Sequence, residues 1–206
     1  MAHIPEGILS MPVLIGGAAL AVAGVGRALR GLSDRAILRT ALLAAVFFTA
    51  SLISVPMGPS SVHLLLSGLM GIMLGPGAFL AVLVGLVLQV VLFGFGGLTT
   101  LGVNTVNIAA PGVLMGAVLG PAIRRAGQAR HRAILAAFAG GGAVLMTGAM
   151  VALCLWLSAS DYVPVARVML ATYLPLALAE AAITATVVGF LARVEPLALI
   201  PAVKER

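Results

Sequence analysis

The sequence predicts an all-α integral membrane protein whose single domain, residues 1–206, is a bundle of about seven transmembrane helices. Apolar residues make up 62% of the chain and charged residues 9%, with a mean hydropathy of +1.20, whereas soluble domains are roughly a quarter charged. Residues 40 to 123 contain no Asp, Glu, Lys or Arg, which leaves room for about four spans. This composition excludes a soluble enzyme, a nucleic-acid-binding domain and a disordered chain.

Gly, Pro and Asn divide the apolar sequence at three places. Residues 55–60 and 75–77 are typical of turns, and the Gly-rich residues 94–104 are typical of a longer loop. With the flanking segments, these breaks predict seven spans, at about 10–28, 36–55, 61–75, 77–94, 104–123, 133–158 and 166–192. The third and fourth spans are short, which favours a re-entrant or strongly tilted segment for one of them.

The basic residues predict the orientation, because Lys and Arg resist translocation and mark cytoplasmic loops. Of the twelve, one cluster lies at 27–39, a second at 124–132, and a third follows the seventh span. An odd number of spans places all three clusters on one side and leaves only Arg167 on the other. We therefore expect an external N-terminus and a cytoplasmic C-terminus. The first nine residues contain no Lys or Arg, which indicates an uncleaved span rather than a signal peptide.

Ionisable groups at membrane depth are costly, so each one is a candidate for function. His63 is the only such side chain between residues 40 and 123, near the outer end of the third span. It is either a ligand or an interfacial histidine that bonds a backbone carbonyl. Glu180 lies in the middle of the seventh span, where a structural hydrogen bond is favoured over a role around a metal. His131 lies among arginines and is expected to be solvated, and Cys154 alone supports no disulfide.

The N-terminus is the most unusual feature of the sequence. The chain begins MAHIPEG, which places His3 just before a turn indicated by Pro5 and Gly7. A histidine within the first three residues can chelate a metal through the free amine, the intervening amide nitrogens and its own ring. The resulting five- and six-membered chelate rings lie in one plane. Planar nitrogen coordination favours Ni(II), Cu(II) or low-spin Co over Zn or Mg.

Several other functional classes lack the residues that they require. A P-loop needs a lysine after its glycine-rich turn, but the only lysine is Lys204. A zincin needs the H-E-x-x-H pattern, which does not occur. ATP hydrolysis by a P-loop and zinc-dependent proteolysis are therefore excluded for this chain.

Five segments carry a resemblance to a known family. They read HIPEG at 3–7, SVHLL at 61–65 (after Val55 and Pro56), LGPG at 74–77, QVVLFGFGGLTTLGVNTVN at 89–107 and EAAITA at 180–185. This ordered set resembles the CbiM/NikM proteins, the substrate-capture (S) components of energy-coupling factor (ECF) transporters for cobalt or nickel. The resemblance covers nearly the whole chain. The family usually begins Met-His, whereas Ala2 intervenes here.

The resemblance implies a seven-helix bundle whose first helix delivers the N-terminus into a central site. It implies capture of Co(II) or Ni(II) from outside a bacterial cell by an inner-membrane protein that is not an enzyme and holds no permanent cofactor. Its implied partners are a transmembrane coupling (T) protein, ATP-binding-cassette ATPase subunits that hydrolyse ATP, and often a small accessory membrane protein. The alternative is a self-sufficient secondary metal permease, although a permease should carry a chain of ionisable groups through its spans.

The family arrangement also predicts a ligand set. We expect Met1 to be removed, so that the Ala2 amine, the His3 amide nitrogen and a His3 ring nitrogen supply three planar donors and His63 supplies the fourth. If Met1 stays, residues 1–3 alone could provide four nitrogens, and His63 would be dispensable for planar coordination.

Metal-bound imidazoles normally donate their second N–H to an oxygen. The candidates for this support are Glu6, Asn104, Asn107 and Glu180, although both asparagines could instead cap the fifth span. Small residues that let helices approach closely are candidates for contact with the coupling protein or for internal packing. They are Gly17, Ala21 and Ala28 on the first span and Ala41, Ala45 and Thr49 on the second.

Overall fold

The computed structural model describes residues 3–57, 60–159, 161 and 163–201. The described residues form seven α-helices and one β-hairpin. In chain order these are α1 (Met11–Arg30), α2 (Asp34–Leu52), β1 (Ser54–Met57), β2 (Ser60–His63), α3 (Ser67–Leu74), α4 (Ala78–Phe93), α5 (Leu101–Arg125), α6 (Ala129–Ser158) and α7 (Val163–Val194). Short 3₁₀ helices follow α3, at Gly75–Gly77, and α7, at Pro196–Leu199.

Six helical stretches of the described residues are long and apolar enough to cross a membrane, so the prediction of seven spans is not confirmed. The stretches are Met11–Arg30, Asp34–Leu52, Ser67–Phe93, Leu101–Arg125, Ala129–Ser158 and Ala171–Val194. The third stretch contains both α3 and α4, because α3 has eight residues and is only about 12 Å long. The predicted third span at 61–75 was wrong in its first half, where the chain is strand β2 and a short connection instead.

Helix α3 packs backbone to backbone within the bundle. All of its residues except Met73 are buried. A Cβ atom added at Gly71 would overlap the backbone of Gly112 on α5, and one added at Gly68 would overlap the backbone of Ala139 on α6. Small residues are what permit such close helix approach in a membrane protein. Helix α3 is thereby fixed between α5 and α6, and the main apolar core, which includes Phe47, Met70 and Tyr173, surrounds it.

The ends of the elements form two faces. At one, which we name the basic end, the Arg39 guanidinium donates to the carbonyls of Ile200 (2.9 Å) and Leu197 (3.1 Å). Arg124 donates to the carbonyl of Leu199 at 3.3 Å. These contacts bring together the start of α2, the end of α5 and the segment after α7. The first two clusters of basic residues thus meet at one end with the segment that follows Arg193, while Lys204 and Arg206 lie outside the described residues. The orientation of that end relative to the membrane stays a prediction.

The opposite face, which we name the histidine end, contains residues 3–10, the β-hairpin and the loop 94–100. The Ser10 N–H donates to the Ser158 hydroxyl at 3.1 Å and so joins this segment to the end of α6. Helix α3 starts beside Gly112, in the middle of α5, and ends at the basic end, where Gly75 lies next to Pro201. Helix α4 then returns to the histidine end, so α3 and α4 run in opposite directions.

Only one of the two small-residue faces is free for a partner. On α1, Ala21 and Ala28 are buried, and Gly17 packs against Val103 of α5, so those residues serve internal packing. On α2, Ala41 and Ala45 are exposed. These three residues therefore do not offer a partner surface, and a partner surface on the second span stays a prediction.

Candidate metal-binding site

The two histidines that the sequence analysis singled out meet at the histidine end. His3 is 5% exposed and His63 is 4% exposed, and their Nε2 atoms lie 3.0 Å apart. The rings are tilted by 37° with centroids 4.7 Å apart. His63 is the last residue of β2, so its predicted place at the end of a helical span was wrong. Ala2, the other predicted ligand, lies outside the described residues.

Hydrogen bonding fixes which ring nitrogens are free to bind a metal. The His63 Nδ1 atom lies 3.0 Å from the Leu64 carbonyl oxygen, which only accepts, so Nδ1 carries the proton and Nε2 is bare. The His3 Nε2 atom then donates to this bare nitrogen, which leaves Nδ1 of His3 bare. That Nδ1 atom is buried and has no hydrogen-bond partner. Each ring therefore has one unprotonated nitrogen.

Burial keeps both rings neutral. Desolvation, with smaller contributions from His63 and the N-terminal amine, lowers the pKa of His3 to about 3, although the Gln89 side chain acts in the opposite direction. Desolvation also lowers the pKa of His63 below its ordinary value, against the raising effect of its bond to Leu64. Neutral imidazoles are the form that ligates metals.

Asn104 has a role that neither prediction for it described. Its Oδ1 accepts from the Ile4 N–H at 3.0 Å, and its Nδ2 donates to the Ile4 carbonyl at 3.1 Å. A further bond from Nδ2 reaches the Thr100 hydroxyl at 3.2 Å. Asn104 therefore neither caps α5 nor bonds an imidazole. It holds the backbone of the residue that follows His3, and so anchors the N-terminal segment on α5.

Asn107 and Glu6 also bond groups other than the imidazoles. The Asn107 amide pairs with the Cys154 thiol at 3.7 to 3.8 Å, which joins α5 to α6. Glu6 accepts from the Thr99 N–H at 3.2 Å and packs against Gly97. Glu6 thus fastens the loop 94–100 over the N-terminal segment.

Glu180 makes the structural hydrogen bonds that the sequence analysis favoured. It is fully buried on α7, and its Oε1 accepts from the Leu65 N–H and, at 2.7 Å, from the Leu66 N–H. Its Oε2 has no partner. Glu180 therefore fixes the connection between His63 and α3 rather than bonding an imidazole.

Gln89 was not among the predicted site residues. This residue of α4 is fully buried, and its Nε2 donates to the Ser51 hydroxyl at 2.6 Å. Its Oε1 is buried without a partner, and its side chain lies beside His3. The available signal was a polar side chain in an otherwise apolar helix, which is costly in a membrane without a use.

The two rings are close enough to bind one metal ion together. Their Nε2 atoms lie 3.0 Å apart, and Nδ1 of His3 is buried without a partner. The described residues contain no group of three or more His, Cys, Asp and Glu side chains that could hold a metal ion.

Comparisons with known proteins identify relatives of this chain. Residues 3–198 match the family model CbiM, described as "Cobalt uptake substrate-specific transmembrane region". A protein of Haemophilus influenzae named as a metal transport protein is 36% identical over 195 residues, which cover 94% of this chain and 95% of that protein. The fused nickel transport protein NikMN of Rhodobacter capsulatus is 32% identical over 124 residues, covering 57% of this chain and 35% of its own.

A solved structure has the same fold. The crystal structure of a transition metal transporter superimposes with a TM-score of 0.70 at 25% sequence identity. The match covers 93% of this chain and 93% of that one.

Proposed function

Because the chain belongs to the CbiM family of transmembrane metal transport proteins, we propose that it captures Co(II) or Ni(II) outside the cell as the substrate-binding subunit of an ATP-driven ECF importer. The observation that carries this proposal is the contact between His3 and His63, which places two neutral imidazoles in one buried site. The chain is a multi-pass membrane protein, and the metal is its cargo.

The proposed ligands are the Ala2 amine, the His3 amide nitrogen, Nδ1 of His3 and Nε2 of His63, with Met1 removed. Only Nδ1 closes a six-membered chelate ring with the residue's own amide nitrogen. This is the atom that is buried, bare and without a partner. Because the proposed ligand of His3 is Nδ1 rather than Nε2, metal entry turns the His3 ring. The hydrogen bond between the two Nε2 atoms is then replaced by metal–nitrogen bonds.

Gln89 supports the loaded form of this site. Once His63 ligates the metal, the Nε2–H group of His3 loses its acceptor, and metal-bound imidazoles normally have one. The Gln89 side chain lies beside His3, and its Oε1 has no partner. We assign it as the new acceptor, held in place by the bond between Gln89 and Ser51.

Both cobalt and nickel remain in the proposal. Planar coordination by nitrogen ligands favours Ni(II) and low-spin Co. The matching family is described by cobalt uptake, and the Rhodobacter capsulatus relative is named for nickel.

The ligand proposal is tested by His63→Ala, with His131→Ala as its control, because His131 is an exposed residue near the start of α6. Intact-protein mass first shows whether Met1 is absent. We expect His63→Ala to lower Ni(II) or Co(II) affinity at least about 100-fold, since it removes a ligand, and His131→Ala to leave it unchanged. Full affinity in His63→Ala with Met1 absent would refute the four-nitrogen site.

The proposed ATP-driven mode rests on the scarcity of ionisable groups. Away from the ends of the six candidate stretches, Glu180 is the single ionisable side chain, whereas a gradient-coupled permease should have a chain of them. The proposed partners are a transmembrane coupling protein, ATP-binding-cassette subunits and a small accessory membrane protein. Vesicles with and without these partners test the mode. Robust gradient-driven metal accumulation by this chain alone would favour a secondary permease.

The proposed docking face for the coupling protein includes Ala41 and Ala45 on α2. Both are exposed, and their small side chains allow close helix approach. The double variant Ala41→Leu, Ala45→Leu should lose copurification with the coupling protein and keep metal binding. Val22→Leu, on the exposed side of α1, is the matched control. Copurification that survives in the double variant contradicts this face.

A further inference from the structure

One peptide group lies between Glu180 and His63. The Leu64 carbonyl oxygen accepts from Nδ1 of His63 at 3.0 Å, and the N–H group of the same peptide, on Leu65, donates to Oε1 of Glu180. A trans peptide is planar, and its C=O and N–H bonds point in opposite directions. The carboxyl group on α7 and the imidazole at the end of β2 are therefore joined through one rigid plane.

We propose that Glu180 is a positioning residue of the metal site, which acts on His63 through the Leu64–Leu65 peptide. This inference rests on the proposed function, in which Nε2 of His63 is a metal ligand. By holding the peptide in one orientation, Glu180 keeps the Leu64 carbonyl directed at Nδ1 of His63. That bond keeps the proton of His63 on Nδ1 and leaves its Nε2 unprotonated. The unprotonated Nε2 accepts from Nε2 of His3, which leaves Nδ1 of His3 unprotonated as well.

The backbone at this connection needs such a restraint. Leu66 has φ of +51° and is the one non-glycine residue with positive φ in the described part of the chain. That conformation is uncommon for a residue with a branched side chain. Glu180 also accepts from the Leu66 N–H at 2.7 Å, and Leu65 and Leu66 are buried, so water is not at hand to replace this acceptor.

The same arrangement strengthens the bond to His63. Hydrogen bonds in a chain polarise one another, so a peptide whose N–H is engaged has a carbonyl that accepts more strongly. Loss of the hydrogen-bond partner of a metal-bound imidazole typically lowers metal affinity by about 10- to 100-fold. Glu180 is separated from the proposed metal by the Leu64–Leu65 peptide and the His63 ring, and its effect passes through the Leu64 carbonyl.

Three variants test the inference. Glu180→Met keeps the length of the side chain in an apolar surrounding but removes both acceptors, and should lower metal affinity about 10-fold or more. Glu180→Gln keeps an oxygen that can accept both N–H bonds, and should restore most of that loss. Thr184→Val is the matched control, because Thr184 is buried one turn further along α7 and its hydroxyl is unpartnered.

A double-mutant cycle separates positioning from general stability. If Glu180 acts through His63, Glu180→Met costs no further affinity in a His63→Ala background, since the two effects are then not additive. An equal loss in both backgrounds, or an equal loss from Thr184→Val, would overturn the inference.

Nitrogen-15 NMR of the three histidines gives a readout that needs no metal. His63 should carry its proton on Nδ1 in the wild type and in Glu180→Gln, and populate both tautomers in Glu180→Met. An unchanged His63 tautomer in Glu180→Met overturns the inference. Failure of the wild type to bind Ni(II) or Co(II) would instead count against the proposed function, so the two failures are distinguishable.

Discussion

His3 and His63 are in contact through their Nε2 atoms at 3.0 Å, although sixty positions separate them in the chain. The contact needs two separate restraints. Asn104 anchors the residue after His3, and Glu180 anchors the residues that follow His63. The site therefore depends on α5 and α7, neither of which contributes a proposed ligand.

The anchoring role predicts that Asn104→Ala lowers metal affinity. The variant removes two hydrogen bonds to Ile4, each worth about 1 kcal/mol, so we expect about a 30-fold loss in a metal titration. Asn107→Ala is the comparison, because Asn107 bonds Cys154 instead. Its affinity should stay within a few-fold of the wild type. Equal affinities for the two variants would show that Asn104 does not hold the N-terminal segment in the loaded form.

Gln89→Met should weaken metal binding although Gln89 is not a ligand. The substitution keeps a similar volume and removes the unpartnered amide oxygen of a side chain that lies beside His3. The loaded His3 ring then loses the proposed acceptor for its second N–H. The expected loss is about 10- to 100-fold. Ser51→Ala removes only the group that orients the amide, and a smaller loss is expected. An affinity unchanged in Gln89→Met rules out this assignment.

The number of protons released on metal binding follows from the lowered pKa values. Both imidazoles are neutral at pH 7, because burial lowers the pKa of His3 to about 3 and that of His63 below 6.5. The protons must come from the Ala2 amine and the His3 amide, so we expect about two per metal at pH 7. Calorimetry in buffers of different ionisation enthalpy measures this number. Release of three or more protons would mean that the imidazoles are protonated before metal binds.

The same pKa values predict acid sensitivity of the metal-free site. When the N-terminal segment lifts away from His63, both imidazoles are exposed and titrate near 6.5. Between about pH 6.5 and 3, this undocked form therefore binds more protons than the docked form, in which His3 contacts His63. Docking is therefore fully stable above pH 6.5 and weakens as pH falls through this window. Hydrogen exchange at the N–H of Ile4 reports it directly, and protection that is constant from pH 7 to pH 4 would contradict the lowered pKa values.

Cysteine labelling tests the orientation of the two ends. In a Cys154→Ser background, Leu98→Cys at the histidine end should react with a membrane-impermeant maleimide on intact cells, since Leu98 is exposed in the loop 94–100. Gly127→Cys lies between the basic residues of α5 and α6 and should react only after permeabilisation. External reaction at position 127 would reverse the proposed topology.

The sequence predicted the break at Gly75–Gly77, a 3₁₀ turn in the structure, because Gly and Pro act locally. The turn predicted at 55–60 was wrong at 55–57 and 60, which lie in strands β1 and β2. Distant contacts could not be predicted. The close packing of α3 depends on Gly112 on α5, and no local pattern in α3 encodes that position.

Asn104, Glu180 and Gln89 illustrate the same limit in the site. Each could be recognised in the sequence as a polar residue in an apolar segment, but its hydrogen-bond partner could not. Asn104 and Glu180 bond backbone groups of other elements, and every residue has the same backbone groups. The choice between Ala21 on α1 and Ala41 on α2 as a partner face likewise required the fold, since both helices have small residues at similar spacing.

The N-terminal segment has a consequence for the kinetics of capture. His3 is both a proposed ligand and part of the cover over His63, and both rings are buried, so we expect that an arriving ion reaches His63 only after the segment lifts. Capture then has an opening step that precedes collision with the ion, and its observed rate should level off at high metal concentration. The bound ion, in turn, can leave no faster than the same segment reopens, so the residence time is set by hydrogen bonds to Ile4 and Glu6 as much as by metal–nitrogen bonds.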